Sequence, residues 1–193
     1  MKGDEIMGIK IQTTSNDLIL IRKVRNDDAK QYIELINFVW RDAYKNIFPE
    51  DVFIDREREK ENRIKDFSEK FYNDNKRLCY VAECNGVIVG AINGTIKSTY
   101  EHFLEDDFAD LVALYINPNY QGKGIGTKLK DIFEEWARKN GAKKYIIGVL
   151  KDNNNARRIY ESWGGKLDNW EQKFYKLGVG YDEVFYRYNL WKL

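Results

Sequence analysis

Two apolar runs, "LVALYI" (111–116) and "AKKYIIGVL" (142–150), bracket a glycine-rich turn and one amphipathic helix. This order constrains the fold more than any other feature of the chain. A continuous apolar run without polar alternation is the pattern of a strand buried on both faces. Between the runs, Leu129, Ile132, Phe133, Trp136 and Ala137 recur at helical spacing. Strand, helix and strand in succession require a sheet with at least one helical layer beside it.

The flanking segments extend that sheet. "LILIRKV" (18–24) reads as the first confident strand. In the next segment Ile33, Ile36, Val39 and Trp40 mark a helix face, and Asn26 or Asp27 is placed to cap it. "EDVFIDREREKENRIKDFSEKFYND" is charged and mostly helical, with its charges read as a solvated face. "RLCYVAECNGVIVGAINGTIK" is a hairpin turning at Asn85-Gly86. "DNNNARRIYESWGG" is a short capped helix, and "KLDNWEQKFY" and "DEVFYRYNLWKL" are the last two strands. The expected class is α/β (α+β), a three-layer mixed sheet. With no repeat or low-complexity linker, residues 17–193 read as one domain. Residues 1–16 read as a loosely attached start, or an extra edge strand around Ile9–Ile11.

Charge and cysteine usage exclude several functions. The 193 residues carry 32 Lys+Arg against 31 Asp+Glu, so no global field points to nucleic acid or an anionic membrane. No apolar run approaches the ~18 residues of a membrane span, and no signal peptide opens the chain. Cys79 and Cys84 lie five apart on one strand, about 17 Å, too far for a disulfide. Two buried free thiols fit a reducing compartment, and a cytoplasmic protein is expected. His102 is the single histidine and no metal-ligand spacing occurs, so no metal is expected. His102 sits in an acidic stretch (Glu101, Glu105, Asp106, Asp107, Asp110) that reads as a solvated loop, or as an attractor for a cationic amine.

The turn "QGKGIG" (121–126) has the ingredients of an anion site. Glycines give a ligand access to the backbone, and the first N–H groups of a helix lack internal partners. The positive end of the helix dipole points the same way, and Lys123 adds a cation. Spacing rules out a Walker A loop, because the fifth residue after Gly122 is Thr127 and after Gly124 is Leu129. A dinucleotide fingerprint is weak, since Thr127 stands where its third glycine belongs and no acid lies in "AKKYII". A simple strand-to-helix turn remains an equal alternative from spacing alone.

Two blocks carry a resemblance. "QGKGIG" fits the pattern [Q/R]-x-x-G-x-[G/A], and "NNNARRIYESWGGK" (153–166) fits N-x-x-A-x-x-φ-Y-x-x-x-G. Together, in this order, they resemble the GCN5-related N-acetyltransferases, the GNAT superfamily. The resemblance spans roughly residues 18–193 and is sharpest over 110–166. It implies a mainly antiparallel sheet whose fourth and fifth strands run parallel and splay apart around acetyl-CoA. It implies that the backbone of Leu114, Tyr115 and Ile116 pairs with the pantetheine arm. The N–H groups of Gln121, Gly122, Lys123, Gly124, Ile125, Gly126 and Thr127 would take the pyrophosphate, Asn153 would bond the arm, and Ala156 would let it pass.

The same resemblance assigns Tyr160 as the acid that protonates the leaving thiolate; by pattern alone a core tyrosine is the favoured reading. Acetyl transfer also needs a base for an amine of pKa ~10 and a donor for the oxyanion. Asp110 and Glu83 are the candidate bases, with Glu183 a third, and the donor is an N–H near Leu114–Ile116. The implied activity is transfer from acetyl-CoA to a primary amine: a small amine, polyamine, amino acid or peptide N-terminus. The alternative is a non-catalytic CoA-binding regulatory module. Trp40, Tyr44 and Phe48 are candidate acceptor contacts, and the exposed last strand is compatible with a homodimer.

Overall fold

The computed structural model describes residues 8–12, 18–72, 74–104 and 108–191. Strands β1 (Ile9–Gln12), β2 (Leu18–Lys23), β3 (Arg77–Cys84) and β4 (Val87–Thr95) lie in sequential antiparallel order. They continue into β5 (Phe108–Ile116) and β6 (Lys144–Leu150), with β8 (Val179–Asn189) and then β7 (Lys166–Lys176) closing the sheet. Every pairing is antiparallel except β5 with β6. The edge strand expected near Ile9–Ile11 is present as β1, so the parallel pair is the fifth and sixth strand rather than the fourth and fifth. The rest of the N-terminal segment lies outside the described residues.

Helices α1 (Ala29–Tyr44), α2 (Glu50–Arg58) and α3 (Lys60–Lys65) cover one face of the sheet. Helices α4 (Ile125–Lys139) and α5 (Asn154–Ser162) cover the other. Each side has its own core. Leu129, Phe133 and Ala137 of α4 pack on Ile147, Val149 and Tyr186. On the opposite face α1 buries Ile33, Ile36 and Val39 against β3 and β4. Trp40, Phe48, Val52 and Phe53 form an aromatic cluster with Leu150. At Asn85-Gly86 both residues take positive φ, 50° and 80°, the geometry a two-residue hairpin turn demands.

Neither Asn26 nor Asp27 caps α1; Asn26–Asp28 form a 3₁₀ turn, and Asp28 precedes the helix. The Asp28 carboxylate turns back to the Arg25 N–H at 2.7 Å and pairs with Arg22 at 2.7 Å. A buried cation at Arg22 competes successfully for the capping carboxylate. Burial pushes Asp28 upward, but the bonds from Arg22 and Arg25 outweigh it and hold its pKa below the usual range.

Candidate active site

The register of β5 builds a cleft. Its pairing to β6 covers only Phe108↔Lys144, Ala109↔Tyr145 and Asp110↔Ile146. Beyond Asp110 the two strands part, while β5 stays bonded to β4 through Gly90↔Ile116 and β6 stays bonded to β8 through Leu150↔Glu183. The gap therefore has backbone on both walls and its vertex at Asp110.

One wall presents unpaired backbone groups. The Asn117 N–H donates to the Val89 carbonyl at 2.9 Å. Antiparallel ladders alternate, so Tyr115 also faces β4, while the backbone groups of Leu114 and Ile116 point into the gap. Gln121 Nε2 reaches the Ile116 carbonyl at 3.2 Å. The structure thus brings Leu114 and Ile116 to the cleft by their backbone. The backbone of Tyr115 does not reach it.

A register shift between Asn93 and Thr95 marks a bulge on the β4–β5 ladder. It inverts the alternation of β5. Leu111 packs on the α4 side, yet Tyr115, four residues on, packs among Trp40, Phe48 and Leu150 on the α1 side. The Tyr115 side chain consequently lines the α1 side of the cleft.

The glycine turn closes one end. Gly122 and Gly124 adopt φ of 71° and 80°, and nothing lies within 4 Å of a Cβ built on either. Their glycine requirement is conformational, and the space above them is open. Gly124 is the left-handed residue that starts α4, and Lys128 N–H returns to its carbonyl at 3.0 Å. Among the described residues, the N–H groups of Gly122, Gly124, Ile125, Gly126 and Thr127 make no backbone hydrogen bond. Ile125 is buried and anchors the turn, whereas Thr127 is exposed. Lys123 lies with its ammonium 4.8 Å from the Tyr120 ring centre. A ring of donors at a helix N-terminus suits an anion such as a pyrophosphate.

Across the gap, α5 supplies the second motif. Asn153 Oδ1 caps it by accepting from the Ala156 N–H at 3.2 Å, and its side chain also meets the Tyr44 hydroxyl. Tyr160 packs its ring 5.9 Å from both Trp163 and Tyr186. Its hydroxyl makes no hydrogen bond among the described residues. Burial, then the neighbouring Tyr115 hydroxyl, raises its pKa well above that of a free phenol, so it is a neutral donor at physiological pH.

Asp110 at the vertex and Glu183 on β8 lie within electrostatic range of each other. Asp110 is 3% exposed. Burial first and the Glu183 charge second lift its pKa to about 7, with Arg77 opposing. Burial also raises Glu183, which accepts from Gln172 Nε2 at 2.8 Å. Glycine at 148 makes room for this group. A Cβ there would lie 2.9 Å from Glu183 Oε1, 3.1 Å from the Phe185 ring and 3.4 Å from the Tyr100 hydroxyl. Sequence reading passed over Gly148 and Tyr100; the signal for the first was a lone glycine inside a buried strand.

Glu83 is not brought to the cleft. It lies on β3, with β4 between it and β5, and is bound to Arg22 at 2.7 Å in the cluster that also holds Asp28. The acidic stretch divides: Glu101 is exposed in a 3₁₀ turn, Asp110 is buried, and Glu105, Asp106 and Asp107 lie outside the described residues. His102 is exposed and stacks on Trp170 with ring centres 5.0 Å apart. Cys79 and Cys84 are free and buried, as expected. Trp40 and Phe48 are core residues, whereas half-buried Tyr44 reaches toward Tyr115, Tyr160 and Glu183. A cavity of about 820 Å³ is lined by residues of β2 and β3, the segments beside them and Trp136 of α4, and includes none from β5 or α5. Among the described residues no helix is long and apolar enough to cross a membrane.

Comparisons with known proteins agree with this geometry. A sequence model described as the acetyltransferase (GNAT) family matches residues 32–165. An uncharacterized N-acetyltransferase of Archaeoglobus fulgidus is 26% identical over 142 residues, covering 74% of this chain and 89% of that protein. The crystal structure of PaiA N-acetyltransferase from Thermoplasma acidophilum in complex with coenzyme A superposes with a TM-score of 0.65 at 20% identity. That alignment covers 89% of this chain and 98% of the other. The structure of YncA, a putative acetyltransferase from Salmonella typhimurium with its cofactor acetyl-CoA, gives 0.61 at 20% identity, covering 91% and 95%.

Proposed function

The chain belongs to the acetyltransferase (GNAT) family, and from that premise we propose that it transfers an acetyl group directly from acetyl-CoA to a primary amine. The observation that carries this reading is the splayed pair β5–β6, with unbonded backbone on one wall and Tyr160 on the other. Bound acetyl-CoA supplies the acetyl thioester. Leu114 and Ile116 bond the pantetheine amides as an added strand would. Gly122 to Thr127 present N–H groups to the pyrophosphate, with Lys123 beside them, and Ala156 leaves a small surface by the arm. Asn153, whose Oδ1 caps α5, bonds the arm through Nδ2 in exchange for the Tyr44 hydroxyl.

In a ternary complex, the Asp110–Glu183 pair takes one proton from the acceptor ammonium. A carboxylate group titrating at about 7 is deprotonated often enough to act and basic enough to accept. The neutral amine attacks the thioester carbon. An N–H of the open β5 edge, Leu114 foremost, stabilises the oxyanion. The C–S bond breaks as Tyr160 O–H donates to the departing sulfur, and the second proton on the attacking nitrogen returns to the tyrosinate through solvent, leaving a neutral amide and the CoA thiol. The raised pKa of Tyr160 does not disqualify it, because the burial that lifts the phenol lifts the thiolate beside it too.

Cofactor binding is tested by thermal shift with acetyl-CoA, CoA and NAD. Both CoA species are expected to raise Tm and NAD to leave it unchanged; no shift with either CoA species would remove the reading. Gly124→Ala sharpens the test. A side chain at φ of 80° costs roughly 1–2 kcal/mol. The new methyl also projects into the open space above the donors. Expected are a Tm lower by about 2–6 °C and an acetyl-CoA Kd weaker by about tenfold, measured by calorimetric titration.

A further inference from the structure

Three half-buried cations gather around Trp40 and Asn37 of α1, with no ion pair to a carboxylate among the described residues. The Arg56 guanidinium lies 4.0 Å from the Trp40 ring centre, and Lys176 Nζ lies 5.8 Å from the same ring. Arg63 Nη1 and Arg56 Nη2 share one neutral acceptor, Asn37 Oδ1, at 2.6 and 3.4 Å. Arg56 Nε is buried and bonds to nothing. Among the described residues, no carboxylate pairs with any of the three; Asp55 and Glu57, close in sequence, are bound to Arg58 and Lys60. Elsewhere the fold pairs its buried cations: Arg22 with Asp28 and Glu83, Lys130 with Asp131 and Glu134.

Gathering like charges away from water is costly unless an anion completes them. The strain registers on Arg56, whose pKa burial and the Arg63 charge lower to about 10. Burial and the same arginines also lower Lys176, with Asp55 only partly opposing them. Tyr44 and Tyr115 pack against the cluster that holds Trp40, and both lie within electrostatic range of Tyr160. Arg56 and Arg63 lie within electrostatic range of Tyr115, and Arg56 also of Tyr44. They lie on the face of the sheet opposite α4, whose N-terminal turn is assigned to the cofactor's phosphates.

We propose that Arg56, Arg63 and Lys176 bind a carboxylate of the acceptor, so that the substrate is a small amino carboxylate such as an amino acid rather than a polyamine. This rests on the acetyl-transfer reading above. Asp110 and Glu183 receive its ammonium end, and the cations receive its carboxylate end across Tyr44 and Tyr115. Guanidinium forks match planar carboxylates in two parallel bonds.

The test is a thiol-release assay on matched acceptors: free amino acids, their amides, and the corresponding decarboxylated amines. The amides matter because a neighbouring carboxylate also alters amine basicity. We expect kcat/KM for the acids to exceed that of their amides by at least about tenfold, the scale of one charged contact. Arg56→Gln should collapse that ratio, chiefly through the acceptor KM. Lys176→Met, on a different element, should reduce it independently if loss of the Arg56 stack on Trp40 unfolds the first variant. Turnover with equal or better use of amides or decarboxylated amines overturns this proposal alone. So does a loss confined to the KM for acetyl-CoA, which would place the anion site under the cofactor. Absence of any CoA binding overturns the acetyl-transfer reading and this proposal together.

Discussion

Replacing Tyr160 by Phe is expected to lower kcat by about two to three orders of magnitude, within the range for loss of a positioned proton donor. The KM for acetyl-CoA should stay within about twofold, because the arm and the pyrophosphate contact other residues. The substitution removes one oxygen that makes no hydrogen bond among the described residues, so little fold stability is at stake. The ring keeps its packing on Trp163 and Tyr186. Turnover undiminished on every active amine would remove Tyr160 from the chemistry and return it to the core. Poor leaving groups separate the roles further. A thiol of higher pKa should suffer more from the substitution than one of lower pKa.

Asp110→Asn should separate activity from stability. The carboxyl's pKa is about 7 in the folded chain against 3.8 for the ordinary group. A group whose folded pKa is raised contributes stability that is complete below its unfolded pKa and is lost as pH climbs through the folded value. The wild-type protein should therefore lose stability between about pH 4 and 7, by up to ~4 kcal/mol at about 1.36 kcal/mol per pKa unit. Asparagine removes that slope, so the variant should melt several degrees higher than wild type at pH 8. Its kcat/KM should fall by about 10²-fold or more, and the rise of activity through pH ~7 should disappear. Glu183 interacts with this group, so the rise belongs to the pair, and Glu183→Gln should move its midpoint. A variant that keeps its activity and pH profile would show that Asp110 is only a buried acid at a strand junction.

How much of this was legible in the sequence depended on whether a signal was local. The buried run at 142–150, the amphipathic α4 and the Asn85-Gly86 turn are local patterns and appear as read. The run at 111–116 is a strand, but only Leu111 is buried; Val112 is exposed and 113–116 are half-buried, because β5 parts from β6 there and borders the cleft. The glycine turn and the Asn153–Tyr160 helix were likewise legible, because each is a motif of contiguous residues. Pairing partners were not. Glu83 and Glu183 look alike as strand acids, and only the sheet order assigns one to Arg22 and the other to the cleft. The bulge that turns Tyr115 toward α1 leaves no mark in "DLVALYI" that alternation alone reveals. The charged run from Glu50 onward reads as a solvated face, and most of it is. Arg56 and Arg63 depart because α1 folds back over them: Arg56 stacks on Trp40 and Arg63 bonds Asn37.

Amide hydrogen exchange with and without acetyl-CoA tests the central claim most directly. The cofactor is proposed to lie between β5 and β6, against the open backbone of Leu114 and Ile116 and the N–H groups at the start of α4. Binding should therefore slow exchange in two separated segments, Leu111–Ile116 and Gln121–Thr127. The β2–β3 side of the sheet should remain unchanged. Slowed exchange around the cavity beside β2 and β3, with residues 111–127 unaffected, would contradict it.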